Sequence, residues 1–145
     1  MSRTPPVRFV LDCDTGSDDA VALFAATAHP DLELVAVTTV NGNVGLAQTT
    51  ENTLRVLDHV GSRVPVHPGA DRPYARPDLP IPRDVLNRDS DFQRTYLDFP
   101  AASSSVAEGS AVSVLVDVYM KPADPDEPAP TLVATGPLTN LALAL

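Results

Sequence analysis

The sequence predicts an α/β fold: an open, mostly parallel, Rossmann-like sheet with flanking helices. Three observations carry that expectation. Short β-branched apolar runs alternate with apolar runs at helical spacing, which is the pattern of βαβ units. The composition is 43% hydrophobic yet only 5% aromatic, so the core has to be built from Val, Leu and Ala, as suits strands against close-packed helices. The first two strands also run directly into loops of Asp, Asn and Gly, where open parallel sheets present ligand-binding groups. At 145 residues the chain is expected to form one domain over 1–145, and a domain of that size buries roughly 68–70% of the surface its unfolded chain exposes.

Residues 7–11 are almost continuously apolar, as in a central strand covered on both faces. An acidic turn follows. Residues 20–26 are apolar nearly all round and stop short of Pro30, predicting a buried helix capped by Ser17 or Asp18. Residues 32–40 are β-branched and bounded by Asp31 and Asn41-Gly42-Asn43, which makes them the second strand. From 46 to 60, Ala47, Leu54, Leu57 and Val60 recur at helical spacing, and Gly61 stands where a C-terminal cap belongs. Residues 64–67 form a short third strand. Pro73, Pro77, Pro80 and Pro82 make 71–105 an irregular, proline-rich loop, either a lid or a plain surface loop. Ala111, Leu115 and Val118 mark a third helix, residues 121–130 a proline-rich connector, and 131–134 a fourth strand. A Gly/Pro loop over 135–140 then leads into a Leu/Ala helix that stops at Leu145 without a cap, so the domain is expected to continue beyond it.

The balance of 10 Lys+Arg against 19 Asp+Glu, a net charge of −9, disfavours nucleic acid, whose phosphates need a concentrated basic surface. No window approaches the ~20 apolar residues of a membrane span. The single cysteine, Cys13, excludes an internal disulfide, and together these features predict a cytoplasmic protein without membrane association. A homo-oligomer is compatible with everything in the chain.

The acidic turn is the strongest functional signal. Asp12, Asp14, Asp18 and Asp19 place four carboxylates within eight positions, and such a cluster repels itself and loses hydration unless a cation or polar ligand compensates. Asp14 and Asp19, at the two ends of a turn containing Gly16, can converge on one hard cation. The alternative is local: Ser17, Asp18 and Asp19 favoured by a helix N-terminus, with Asp12 and Asp14 capping the loop. An EF-hand is excluded, because Gly16 falls at the fifth rather than the sixth position and no Glu occupies the twelfth. Haloacid-dehalogenase-type phosphatases also carry Asp-x-Asp after their first strand, with Asp12 then the nucleophile. Their pattern wants Thr or Val where Gly16 stands.

Leu11-Asp12-Cys13-Asp14-Thr15-Gly16-Ser17-Asp18-Asp19-Ala20 resembles the amino-terminal signature of the inosine–uridine-type nucleoside hydrolases. Thr38-Thr39-Val40-Asn41-Gly42-Asn43 resembles the family's loop after its second strand, and Ala134-Thr135-Gly136-Pro137-Leu138-Thr139-Asn140-Leu141-Ala142 a later one. The resemblance implies calcium-dependent hydrolysis of the N-glycosidic bond of ribonucleosides to ribose and free base. It implies that Asp14 ligates Ca2+ and accepts a proton from the attacking water, that Asp19 is a second calcium carboxylate, and that Thr135 ligates through its backbone carbonyl. It implies that Asp18 and Asn43 bind ribose hydroxyls. It also implies that the last calcium carboxylate and the leaving-group acid lie outside these 145 residues, so that the isolated chain is inactive or weakly active, or is a non-catalytic cation- or ribose-binding fragment. Asn43 equally suits a cap for the helix near Leu46, and Asp12 suits support of the loop through backbone hydrogen bonds. Many relatives have a His-Gly-x-x-Gly stretch after the third strand, whereas residues 71–105 contain neither His nor Gly; no base preference is assigned. His29, His59 and His67 read as structural, and Cys13, among acidic neighbours, as a packing residue with a raised thiol pKa.

Overall fold

A computed structural model describes residues 5–78, 96–120 and 129–145. Four parallel strands run in the order β3-β2-β1-β4: β1 Val7–Cys13, β2 Leu32–Thr39, β3 Val66–Pro68 and β4 Thr131–Ala134. Helices α1 (Ser17–Ala28), α2 (Leu46–His59), α3 (Ala111–Met120) and α4 (Thr139–Ala144) complete the described architecture. The expected α/β sheet with flanking helices is therefore what forms. The portions of the predicted 71–105 loop and 121–130 connector at 79–95 and 121–128 lie outside the described residues.

The sheet is buried from both sides because β1 alternates. Phe9, Leu11 and Cys13 pack with Ala20, Leu23 and Ala26 of α1 and Leu54, Val56 and Leu57 of α2. Val10 faces the other way, against Leu115 of α3 with Leu141 and Ala144 of α4 alongside. That period of two puts Asp12 on the α3/α4 side of the sheet and Cys13 on the α1/α2 side. In β2 the register shifts, Phe9 pairing Leu34 and Val10 pairing Ala36, so one extra residue is absorbed as a bulge. After it Asp12 pairs Thr38 and Cys13 pairs Thr39.

Several local expectations are corrected. The first strand runs two residues past Leu11, because Asp12 and Cys13 still have ladder partners in β2, and Asp12 also has one in β4. Helix α1 is buried on one face only: Val21 is 66% exposed. Its N-cap is Gly16 with no side-chain cap bond, so neither Ser17 nor Asp18 caps it. Helix α2 begins after Gly45, again without a side-chain cap, so Asn43 does not cap it. Of its predicted apolar stripe, Leu54 and Leu57 are buried while Ala47 and Val60 are exposed. The third strand is displaced from 64–67 to Val66–Pro68.

The predicted stop at Gly61 is correct. Gly61 has φ 69°, its N–H donates to Asp58 O (3.1 Å), and the Ser62 N–H donates to Leu57 O (2.9 Å). These two bonds form a Schellman motif, which needs a left-handed residue that glycine adopts without strain.

Candidate functional site

The strand order places β1 between β2 and β4, so the chain reverses its direction of travel across the sheet there, and open parallel sheets bind ligands in the crevice beyond the carboxyl ends of the strands at such a point. Asp14, Asp18 and Asp19 arrive from β1 and α1, Asn43 from the loop after β2, and Thr135 from the loop after β4. All five predicted site residues therefore meet at one edge, although they are spread over more than a hundred positions of sequence.

Asp14 is 8% exposed. Its Oδ2 accepts the Asn43 N–H at 2.6 Å, and its backbone carbonyl accepts from Asn43 Nδ2 at 3.3 Å. Gly42 is required for that approach, because a Cβ there would overlap the Asp14 carboxylate. Burial, and then the charges of Asp19 and Asp18, raise the Asp14 pKa, opposed by the Asn43 N–H. Asp19 is 3% exposed, and the Thr135 hydroxyl donates to its Oδ1 at 2.6 Å. Thr135 also donates its N–H to Asp12 O at 2.8 Å. The loop after β4 is thereby fixed against both acidic segments. Asp18 is exposed, and its Oδ1 and Asn43 Nδ2 lie 3.2 and 2.8 Å from where a Cβ on Gly16 would stand. Those two side chains share one rim of the crevice.

Asp12 stands apart. It is fully buried, and its Oδ1 accepts from Thr38 Oγ1 (2.6 Å) and Asn140 Nδ2 (2.7 Å), while its Oδ2 is buried without a partner among the described residues. Its carbonyl carries the Thr135 and Gly136 N–H groups, in keeping with the expected loop-supporting role. Burial raises its pKa against those two side-chain donors. A fully buried carboxylate with one oxygen doubly occupied cannot attack a phosphoryl group, which removes the geometric basis of the phosphatase alternative.

Cys13 is fully buried beside Thr15 (Sγ to Oγ1, 3.3 Å), and its thiol pKa is pushed up to about 12, by burial first and by Asp19, Asp12 and Asp14 after it. Acidic neighbours were the expected cause; burial is the larger. The three histidines make local contacts. His29 Nδ1 accepts the Asp31 N–H (3.2 Å), His59 packs on Phe99 with ring centroids 4.8 Å apart, and His67 Nδ1 is 3.3 Å from Gly109 O.

A polar seam that periodicity does not reveal seats the acidic turn on α2. The Thr15 and Thr53 hydroxyls share a hydrogen bond at 2.7 Å, as do those of Thr39 and Thr50, and Asn52 Nδ2 donates to Thr15 O at 3.1 Å. Thr38 and Asn140 were likewise not singled out from the sequence, although both lie inside the quoted motifs.

The donors present suit a hard cation. Asp14 and Asp19 are buried carboxylates, and among the described residues no Lys, Arg or His pairs with either; the described ion pairs are Arg8–Glu33, Arg55–Glu51 and Arg72–Asp71. No three His, Cys, Asp or Glu residues among those described form a metal-binding group. A cation here would rest on two carboxylates completed by neutral oxygens, an all-oxygen set of the kind calcium prefers.

Comparison with known proteins decides the family. The family model for inosine-uridine preferring nucleoside hydrolases matches residues 9–145. The chain belongs to this nucleoside hydrolase family. It is 41% identical over 137 residues to the pyrimidine-specific ribonucleoside hydrolase RihA of Shewanella sp. (strain MR-7), covering 94% of this chain and 41% of that protein. It is 39% identical over 142 residues to the inosine-uridine preferring nucleoside hydrolase of Crithidia fasciculata, covering 96% and 42%. Among solved structures, an inosine-guanosine nucleoside hydrolase superposes with a TM-score of 0.77 at 29% identity, covering 97% of this chain and 41% of that one. The purine-preferring ribonucleoside hydrolase from Gardnerella vaginalis gives 0.77 at 28%, covering 95% and 43%. The chain thus spans about two-fifths of the length of these nucleoside hydrolases. Among its described residues no helix is long and apolar enough to cross a membrane.

Proposed function

We propose that this chain carries the cation- and ribose-binding part of a calcium-dependent hydrolase that cleaves the N-glycosidic bond of ribonucleosides. The observation that supports this most is the meeting of Asp14, Asp19 and Thr135 at the β1/β4 crevice, with Asp18 and Asn43 on its rim, in a member of the nucleoside hydrolase family. Asp14, Asp19 and the Thr135 carbonyl would hold the ion. Bound there, calcium supplies a water that is nucleophilic at neutral pH and a site for vicinal ribose hydroxyls.

The side chains divide the remaining work. Asp14 accepts the proton of the attacking water, and its orientation is set by the Asn43 N–H on Oδ2. Asp18, exposed at the start of α1, accepts hydrogen bonds from ribose hydroxyls, while Asn43 Nδ2 donates to them. The three carboxylates of this edge stabilise the positive charge that develops on the ribose ring in an oxocarbenium-like transition state. Two carboxylates and one carbonyl leave a large share of calcium's six to eight oxygens to water and ribose hydroxyls, which hold the ion less firmly than protein carboxylates. The 145-residue chain by itself therefore binds calcium weakly and hydrolyses slowly.

Calorimetric calcium titration and a ribose-release assay on inosine and uridine test this reading. Saturable calcium binding is expected, lost in Asp14→Ala and Asp19→Ala. Asp12→Ala should lower stability, by about 1–3 kcal/mol, because it strands the Thr38 and Asn140 donors, and weaken calcium binding less than the loss of Asp14 or Asp19 does. Calcium binding unchanged in both the Asp14 and Asp19 variants would sink the assignment. Vigorous ribose release by the chain alone would overturn the expected weakness.

A further inference from the structure

We infer that Asn140 is a positioning residue for this carboxylate site. It lies in the first turn of α4, is fully buried, and uses its whole amide group. Nδ2 donates to Asp12 Oδ1 (2.7 Å) and to Thr39 O (3.0 Å), and Oδ1 accepts the Ala70 N–H (2.8 Å). One side chain thereby joins the ends of β1 and β2 to the loop after β3. Glycine at 69 makes room for it, since a Cβ there would overlap the Asn140 amide.

Two hydrogen-bonded routes run from this amide to the proposed calcium carboxylates. Through Asp12, whose carbonyl accepts the Thr135 N–H, it reaches the hydroxyl that Thr135 places on Asp19. Through Ala70, whose carbonyl accepts the Asn41 N–H at 2.9 Å, it reaches the Asn41-Gly42-Asn43 turn that holds Asp14. Thr38 donates to the same Asp12 oxygen at 2.6 Å, so Asp12 is locked from both sides and passes the position of α4 on to the loop after β4. Any buried amide needs hydrogen-bond partners; the partners of this one lie on both routes. Groups that orient metal ligands without touching the metal typically change affinity on removal by about 10–100-fold.

The inference rests on the calcium reading only for its affinity measurement. The test compares Asn140→Ala with Leu57→Ala, a core truncation on the α1/α2 side of the sheet, across it from α4, by calcium titration calorimetry and by amide hydrogen exchange of the calcium-free protein. Asn140→Ala should weaken calcium binding by about tenfold or more, whereas Leu57→Ala, though less stable, should keep the wild-type affinity. Equal weakening in both variants, or unchanged affinity in Asn140→Ala, overturns the inference. Should the wild-type chain bind no calcium, the calcium reading fails and amide exchange decides separately. Faster exchange at Thr135, Gly136 and Asn43 in Asn140→Ala but not in Leu57→Ala supports positioning, and unchanged exchange overturns it. Asn140→Ser, whose hydroxyl hydrates the vacated space, provides the same readings if the alanine variant does not fold.

Discussion

Four aspartates in one short segment receive four different environments. Asp12 points to the α3/α4 side of the sheet, where Thr38 and Asn140 take one of its oxygens. Asp14, one residue past the strand, meets the loop after β2, Asp19 meets the loop after β4, and Asp18 stays exposed. The residue types and their spacing mark the segment as a candidate ligand site, and the family motifs imply the roles proposed for it. The Asn140 contact was illegible, because it joins positions 128 residues apart and an asparagine in a Leu/Ala helix has no periodic signature. Cys13 offers a check on this packing. Its thiol is fully buried and its pKa is pushed up to about 12, so thiolate is scarce at neutral pH. Ellman's reagent should leave the native protein unlabelled and react as urea unfolds it; prompt labelling of the native state would show that the β1 end is open.

At the scale of elements, α2 shows what a hydrophobic stripe leaves out. Leu54 and Leu57 were legible as its core face, whereas Thr49, Thr50, Asn52 and Thr53 are equally buried and look solvent-facing in sequence. They are inside because Thr15, Thr39 and the backbone around them supply hydrogen-bond partners, which a one-dimensional pattern cannot show. The C-terminal end of the same helix anchors the segment after residue 95: Asp58 Oδ2 accepts from Ser103 N–H (2.6 Å), Ser103 Oγ (3.0 Å) and Ser104 N–H (3.0 Å). Led by the Ser104 N–H and against the opposing effect of burial, these bonds hold the Asp58 carboxyl down to about 2, below its ordinary 3.8. The native state therefore binds fewer protons than the unfolded state between those values. The contribution is fully present above the unfolded pKa and is lost as pH falls through the folded one. Asp58→Asn should lower stability at neutral pH and flatten its decline below about pH 4, as read from urea midpoints across pH; parallel profiles for the two proteins would contradict the anchor.

For the whole molecule, the crevice unites loops from three strands, so a cation held there ties β1, β2 and β4 together. Ligand binding to the native state alone stabilises it by about 2.7 kcal/mol at a hundred times Kd. Calcium should therefore raise the melting temperature of the wild-type chain in a concentration-dependent way, and of Asp19→Ala hardly at all; an identical rise in both would place the effect elsewhere. By itself the sequence determined the α/β class, the order of the elements and the identity of the acidic, Asn-Gly-Asn and Thr-Gly-Pro loops, because local periodicity, turn residues and motif spacing are properties of neighbours along the chain. Only the tertiary structure decided which faces those residues present. The parity of β1, the bulge in β2 and the 3-2-1-4 strand order set Asp12 against Asn140, Asp14 against Asn43 and Asp19 against Thr135. Those pairings depend on a side-chain period of two and on parallel crossovers between distant segments, so they exist only once the sheet has closed.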